Sequence, residues 1–240
     1  MILELDCGNS FLKWRVIAGE RVERSGVAET LEEIRRQLDG LRLKAGRLVS
    51  VRTDEETAAM RNGVEATWQI PVAVAASSEL LAGVRNGYRE PQRLGLDRWL
   101  ALVAAYQLTN SACLVVDLGT AVTVDYVAAD GEHLGGFICP GLPLMRSQLT
   151  QQTRRVRYQA AEVEDLLSPG RSTAEAVERG CLQMLRAFVS EQLAMGRERL
   201  GADCTIFLTG GDAPLVADLA PQSRYEPDLV FRGLALACPL

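Results

Sequence analysis

Two hydrophobic periods alternate along this chain. The apolar run 2–7 predicts a buried strand, Gly8-Asn9-Ser10 a turn, and 11–18 and 21–28 two more strands joined at Gly19-Glu20, an antiparallel meander. Thr30 with Glu33 makes a capping-box pattern ahead of a helix striped by Leu31, Ile34, Leu38 and Leu41. A strand over 47–51 follows, then a second capping-box pattern at Thr53 and Glu56 opening a helix to about Asn62, and a strand over 71–75. The stretch 86–95 is polar and broken by Gly and Pro, so it reads as a loop, and Leu96-Asp97-Arg98 opens a helix reaching Tyr106 or Leu108.

The second half repeats this plan. Strands are expected over 112–117, 121–128 and 132–139, with turns at Gly119-Thr120 and Asp130-Gly131, then a helix over 143–153. Arg154, Arg155 and Arg157 with Tyr158 read as a solvated basic loop. A long helix starts at Ser172 or Thr173, with Val177, Cys181, Leu185, Phe188, Val189 and Leu193 on one face. A strand over 204–208 runs into Thr209-Gly210-Gly211-Asp212 and a helix with Pro214 in its first turn; a strand over 229–231 and a helix over 233–237 end the chain. The pattern apolar–Asp–any–Gly–small polar occurs at Asp6 and again at Asp117, an offset of 117 − 6 = 111 in 240 residues. Two similar α/β lobes are therefore expected, 1–111 and 112–240, each with helices packed on a mixed sheet and with a cleft between them.

Composition narrows the partners. With 26 basic and 31 acidic residues the net charge is −5 and the pI about 5.1, so no global field draws in nucleic acid or an anionic membrane. Any phosphate must be held locally. Six cysteines are scattered without a C-x-x-C pair, as in a reducing cytoplasm, and the first residues resemble no signal peptide. No apolar run approaches the ~20 residues of a membrane span. The single histidine, His133, excludes a multi-histidine metal site.

Three turns and one helix start carry candidate chemistry. At the Asp6 and Asp117 turns, Gly8 and Gly119 let main-chain N–H groups approach a phosphate, while Asn9, Ser10 and Thr120 offer neutral donors and Lys13 a point charge. A carboxylate beside a triphosphate needs a cation between them, so Asp6 and Asp117 would hold Mg²⁺, its waters or a monovalent ion. Taken singly, each is equally a hairpin turn. Gly210-Gly211 could lie flat against an adenosine, or be a tight loop capped by Asp212. Asp97, next to Arg98, could accept a hydroxyl proton, or simply favour a helix start. Ser172 with Glu175 needs no substrate to explain it, and Tyr88 could stack on a ligand or anchor its loop.

Together these residues resemble the type III pantothenate kinases, of the acetate and sugar kinase, heat-shock protein 70 and actin superfamily. Asp6 through Lys13 resembles the first phosphate motif, Asp117 through Thr123 the second, and Thr209 to Asp212 the adenosine motif. Tyr88, Pro91 and Gly95-Leu96-Asp97-Arg98, with Gly135-Gly136, Pro140-Gly141 and the helix start at Thr173, resemble the kinase in particular. The resemblance implies a duplicated actin-like ATPase (ribonuclease H-like) fold, each lobe with a mixed five-stranded sheet. It implies ATP with Mg²⁺ near Asp6, through water, and potassium or ammonium at Asp117. It makes Asp97 the base, places Tyr88, Gly95, Leu96, Arg98 and Thr173 around pantothenate, and puts Gly8, Asn9, Ser10, Lys13, Gly119, Thr120, Gly210 and Gly211 on ATP. A homodimer making 4′-phosphopantothenate for coenzyme A is expected. The rival readings are a kinase of another small alcohol or sugar acid, a non-catalytic nucleotide-binding regulator, and a phosphatase of the superfamily.

Overall fold

The computed structural model describes residues 1–152 and 168–240, so Thr153 and the basic loop with Arg154, Arg155, Arg157 and Tyr158 lie outside the described residues. In chain order the elements are β1 (Ile2–Cys7), β2 (Leu12–Ala18), β3 (Arg21–Ala28), α1 (Leu31–Gln37), β4 (Ala45–Ser50), α2 (Asp54–Trp68), β5 (Val72–Val74), the small hairpin β6 (Leu80–Leu81) and β7 (Val84–Arg85), and α3 (Leu96–Thr109). They continue with β8 (Cys113–Leu118), β9 (Ala121–Val127), β10 (His133–Pro140), α4 (Leu142–Gln152), α5 (Thr173–Leu200), β11 (Thr205–Thr209), β12 (Arg224–Tyr225) and α6 (Leu229–Ala237). Short 3-10 segments lie at Pro91–Arg93 and Ala213–Leu219. The chain divides into two units, Met1–Leu108 with Asp228–Leu240, and Thr109–Pro227. The last helix, which the expected boundary at 111 puts in the second lobe, belongs to the first unit.

In the first unit the sheet order is β3-β2-β1-β4-β5, antiparallel through the meander and parallel from β1 to β4 and β5. Alternation decides which face each β1 residue serves. Leu3, Leu5 and Cys7 enter a core with Trp14, Val16 and Leu48, closed by Ile34 of α1, Leu38 just past its end and Val64 of α2. Glu4 and Asp6 face the other side. Glu4 is fully buried between its two cross-strand neighbours, Arg15 and Arg47. Its Oε2 meets Arg15 Nε at 2.5 Å and its Oε1 meets Arg47 Nη1 at 2.7 Å. Arg15 also pairs with Asp228 at 2.9 Å and stacks 4.8 Å from the Phe231 ring. A buried carboxylate with a cation on each flank satisfies the rule that interior charges be paired.

Two sequence expectations change here. Residues 229–231 are not a strand: they open α6, which packs on β1 and β4. The apolar run buries Leu229, Phe231 and Leu234, and Gly233 brings the helix so close to α3 that a Cβ would overlap the Leu100 carbonyl. Helix α2 runs past Asn62 to Trp68, ending where Gln69 turns left-handed at φ 53°. Gly63 lies inside the helix, where a Cβ would sit 3.0 Å from Leu31 of α1. The residue makes room for a neighbouring helix.

The second unit repeats the first. Its order is β10-β9-β8-β11-β12, again antiparallel through the meander and parallel onward from β8. The outer strand is supplied by Arg224–Tyr225 rather than by 229–231. Leu114, Val116 and Leu118 of β8, Val122 and Val124 of β9, and Leu185, Val189 and Leu193 of α5 form its core. Asp6 is the penultimate residue of β1, and Asp117 holds the same place in β8.

Candidate active site

The first acidic turn is built by strand pairing. Asp6 is 9% exposed and lies directly opposite Lys13 in the β1–β2 register, so carboxylate and ammonium share one face while Asn9 and Ser10 project into solvent. At Gly8 a Cβ would come within 3.2 Å of the Phe11 carbonyl, so the loop is tight. Arg52, from the β4–α2 connection, donates through Nε to the Gly8 carbonyl at 2.9 Å. Sequence reasoning missed this guanidinium, whose partner is 44 positions away. Cys7, behind the turn, faces the core, and burial with Asp6 beside it pushes its thiol up to about 12 against the weaker pull of Arg52.

The second acidic turn and the glycine pair form one assembly within the second unit. Asp117 lies between Thr123 of β9 and Thr209 of β11 in the sheet register. The turn closes with Gly119 N–H donating to the Ala121 carbonyl at 3.1 Å, and Gly141 N–H donating to the Thr120 carbonyl at 3.0 Å. Gly210, at φ +88°, packs against Asp117 and Leu118: a Cβ would overlap the Leu118 carbonyl and approach Asp117 Oδ1 to 2.6 Å. The Asp212 N–H then donates to the Leu118 carbonyl at 3.0 Å. Asp212 makes no side-chain capping bond to the 3-10 segment it precedes. Burial raises its carboxyl above the usual range, with Arg146 opposing.

The helix start carries a third cluster, in the first unit. Asp97 Oδ1 accepts from the Arg98 N–H at 2.8 Å, and the Trp99 N–H donates to the Gly95 carbonyl at 2.9 Å. A Cβ on Gly95 would approach Asp97 Oδ1 to 2.9 Å, so glycine leaves room for that carboxylate. Arg98 is 5% exposed, donates through Nη1 to the Tyr88 hydroxyl at 2.8 Å, and lies 5.7 Å from that ring's centre. Gly95 and Leu96 also line a cavity of about 410 Å³ with Ser50, Arg52, Ser77 and Gln92. Thr173 opens α5 in the second unit, behind Ser172, whose hydroxyl accepts from the Glu175 N–H. Glu175 Oε2 accepts from the Arg171 N–H rather than closing a full capping box.

The donors suit hard cations. Asp6 and Asp117 offer carboxylate oxygens, and no group of three or more His, Cys, Asp or Glu that could hold a metal exists among the described residues. That set fits Mg²⁺ bound mainly by nucleotide phosphates and water, with one or two carboxylates completing it.

A duplicated five-stranded mixed sheet with an acid–glycine turn at the same point of each copy defines an actin-like ATPase fold. Solved structures of this shape include a protein assigned to the Baf family of transcriptional activators from Campylobacter jejuni, at TM-score 0.63 and 20% identity over 97% of this chain and 94% of that one. Another is the activator of the 2-hydroxyisocaproyl-CoA dehydratase from Clostridium difficile with bound ADPNP, at TM-score 0.50 and 11% identity over 98% and 92%. Residues 2–195 match the family model of type III pantothenate kinase. A curated type III pantothenate kinase of Pseudomonas aeruginosa (strain LESB58) is 60% identical over 247 residues, covering 100% of both chains. The chain belongs to the type III pantothenate kinase family.

Proposed function

We propose that this protein transfers the terminal phosphoryl group of ATP to the primary hydroxyl of pantothenate, the first step toward coenzyme A. Family membership over the full chain supports the reaction, and the observation that carries the site is the Tyr88–Arg98–Asp97 cluster beside the cavity at Gly95. Asp97 is the base: the Arg98 N–H engages Oδ1, which leaves Oδ2 to take the proton as the hydroxyl attacks. Arg98 and Tyr88 orient the acceptor, with Gly95 and Leu96 as its floor and Thr173 as a further contact. Lys13, Asn9, Ser10 and Thr120, with the N–H groups around Gly8 and Gly119, hold the phosphates in line. Gly210 and Gly211 lie against the adenosine. Asp6 would hold Mg²⁺ through water and Asp117 a potassium or ammonium ion, and these cations would offset the negative charge on the phosphoryl oxygens.

A coupled ADP-release assay tests the reading. Turnover is expected with pantothenate but not with glycerol or common sugars, and to depend on potassium or ammonium. Release without pantothenate, or equally with sugars, sinks it. We also read the protein as a cytoplasmic homodimer. Leu134, Phe137 and Ile138 stand exposed along β10, an edge strand, as an apolar edge that a second copy would cover. No helix among the described residues is long and apolar enough to cross a membrane.

A further inference from the structure

Asn86 sits in a stretch whose sequence reads as an ordinary polar turn, Asn86-Gly87-Tyr88, yet the residue is only 7% exposed. Its amide is oriented by its surroundings. Nδ2 faces three acceptors, the Ser77 hydroxyl at 3.4 Å and the carbonyls of Ser78 and Pro91 at 3.3 Å each, while Oδ1 accepts from the Tyr88 N–H at 3.0 Å. The Asn86 N–H donates to the Glu79 carbonyl at 2.9 Å, and the Ser77 hydroxyl to the Pro91 carbonyl at 2.7 Å. One buried amide therefore ties together the segment before the β6–β7 hairpin, the 3-10 segment at Pro91, and the main chain of Tyr88. The far end of Tyr88 is held separately, by Arg98 on the hydroxyl.

We infer that Asn86 is a positioning residue for the acceptor substrate, acting through Tyr88. This rests on the reading of Tyr88 and Arg98 as acceptor contacts. An aromatic ring on a loop between a hairpin and a 3-10 turn has no regular ladder to fix it. A polar hub with a partner for every donor and acceptor supplies that rigidity, and one left half-satisfied loses more than one bond. Asn86 makes no contact that bears on nucleotide phosphates, so its loss should be read in acceptor affinity.

The test is steady-state kinetics with each substrate varied, on variants whose cooperative thermal unfolding is first verified. Asn86→Ala is expected to raise the KM for pantothenate about tenfold while the KM for ATP and kcat stay within about twofold, the size of one lost hydrogen bond with a partner left unsatisfied. In a Tyr88→Ala background the same substitution should add little, because residues acting as one unit are not additive. Should Asn86→Ala fail to fold, Ser77→Ala removes only the outer bonds of the hub and is expected to raise the pantothenate KM about two- to threefold. Equal increases in both KM values, or an undiminished Asn86→Ala effect without the Tyr88 side chain, overturns the inference. A wild-type enzyme without pantothenate-dependent turnover instead overturns the functional reading on which it rests.

Discussion

Asp97 shows two readings meeting at a single residue. From spacing alone an Asp at a helix start is explained by capping as well as by chemistry, and the bond from the Arg98 N–H to Oδ1, with Gly95 leaving room for the carboxylate, serves the helix start under either reading. With Asp97 as the base, Asp97→Asn should lower kcat by roughly 10²–10⁴ with ATP affinity unchanged, measured by coupled assay and calorimetry. A variant with wild-type turnover removes Asp97 from that role. Gly210 can be judged from geometry alone: Gly210→Ala forces a side chain into a left-handed conformation against Asp117 and Leu118. It should cost about 1–3 kcal/mol of stability and weaken ATP binding more than pantothenate binding, read from thermal unfolding and titration. The acid–glycine pairs were legible as sequence because they are local. Arg52 and Asn86 were not, because the partners that give them a task are fixed by the fold.

Among the elements, strands and capped helices emerged largely as their periodicity predicts. Thr53 with Glu56 closes a full capping box, and β1 and β8 fall in register with the expected runs. The failures have one cause. The run from Leu229 was read as a strand because it is short and apolar, yet its burial comes from packing on β1 and β4 and from a glycine contact with α3. Conversely β12 is two residues with no apolar signal, held by pairing with Phe207 and Leu208. The charge ladder across β2, β1 and β4 also follows from pairing. Glu4→Ala, which strands Arg15 and Arg47 without their shared partner, should destabilise the protein by roughly 3–5 kcal/mol in denaturant unfolding. On the edge strand, Ile138→Lys should shift the protein toward monomer in light scattering, and an unchanged mass would refute β10 as the dimer face.

At the scale of the molecule the two units carry the same strand order with an acidic turn at the same point. All six cysteines are free, and Cys7 and Cys113 hold their thiols up at about 12 because burial opposes charge. The sign follows: the folded state keeps protons that the unfolded chain loses near 9, so stability is unaffected below that pH and falls as pH rises toward 12. Native protein at neutral pH should therefore leave Cys7 and Cys113 unlabelled by iodoacetamide, while denatured protein labels both. Rapid labelling of the native fold would contradict their burial.

The sequence by itself determined the duplication, the two acid–glycine turns, the glycine pair and the Gly95–Arg98 helix start, because each is a short run whose chemistry and spacing are local. Only the tertiary structure decided that Gly210 packs on Asp117, that Arg52 fastens Gly8, that Asn86 holds Tyr88, and that the last helix joins the first unit. Those relations join residues far apart in the chain, and strand register and close packing select them.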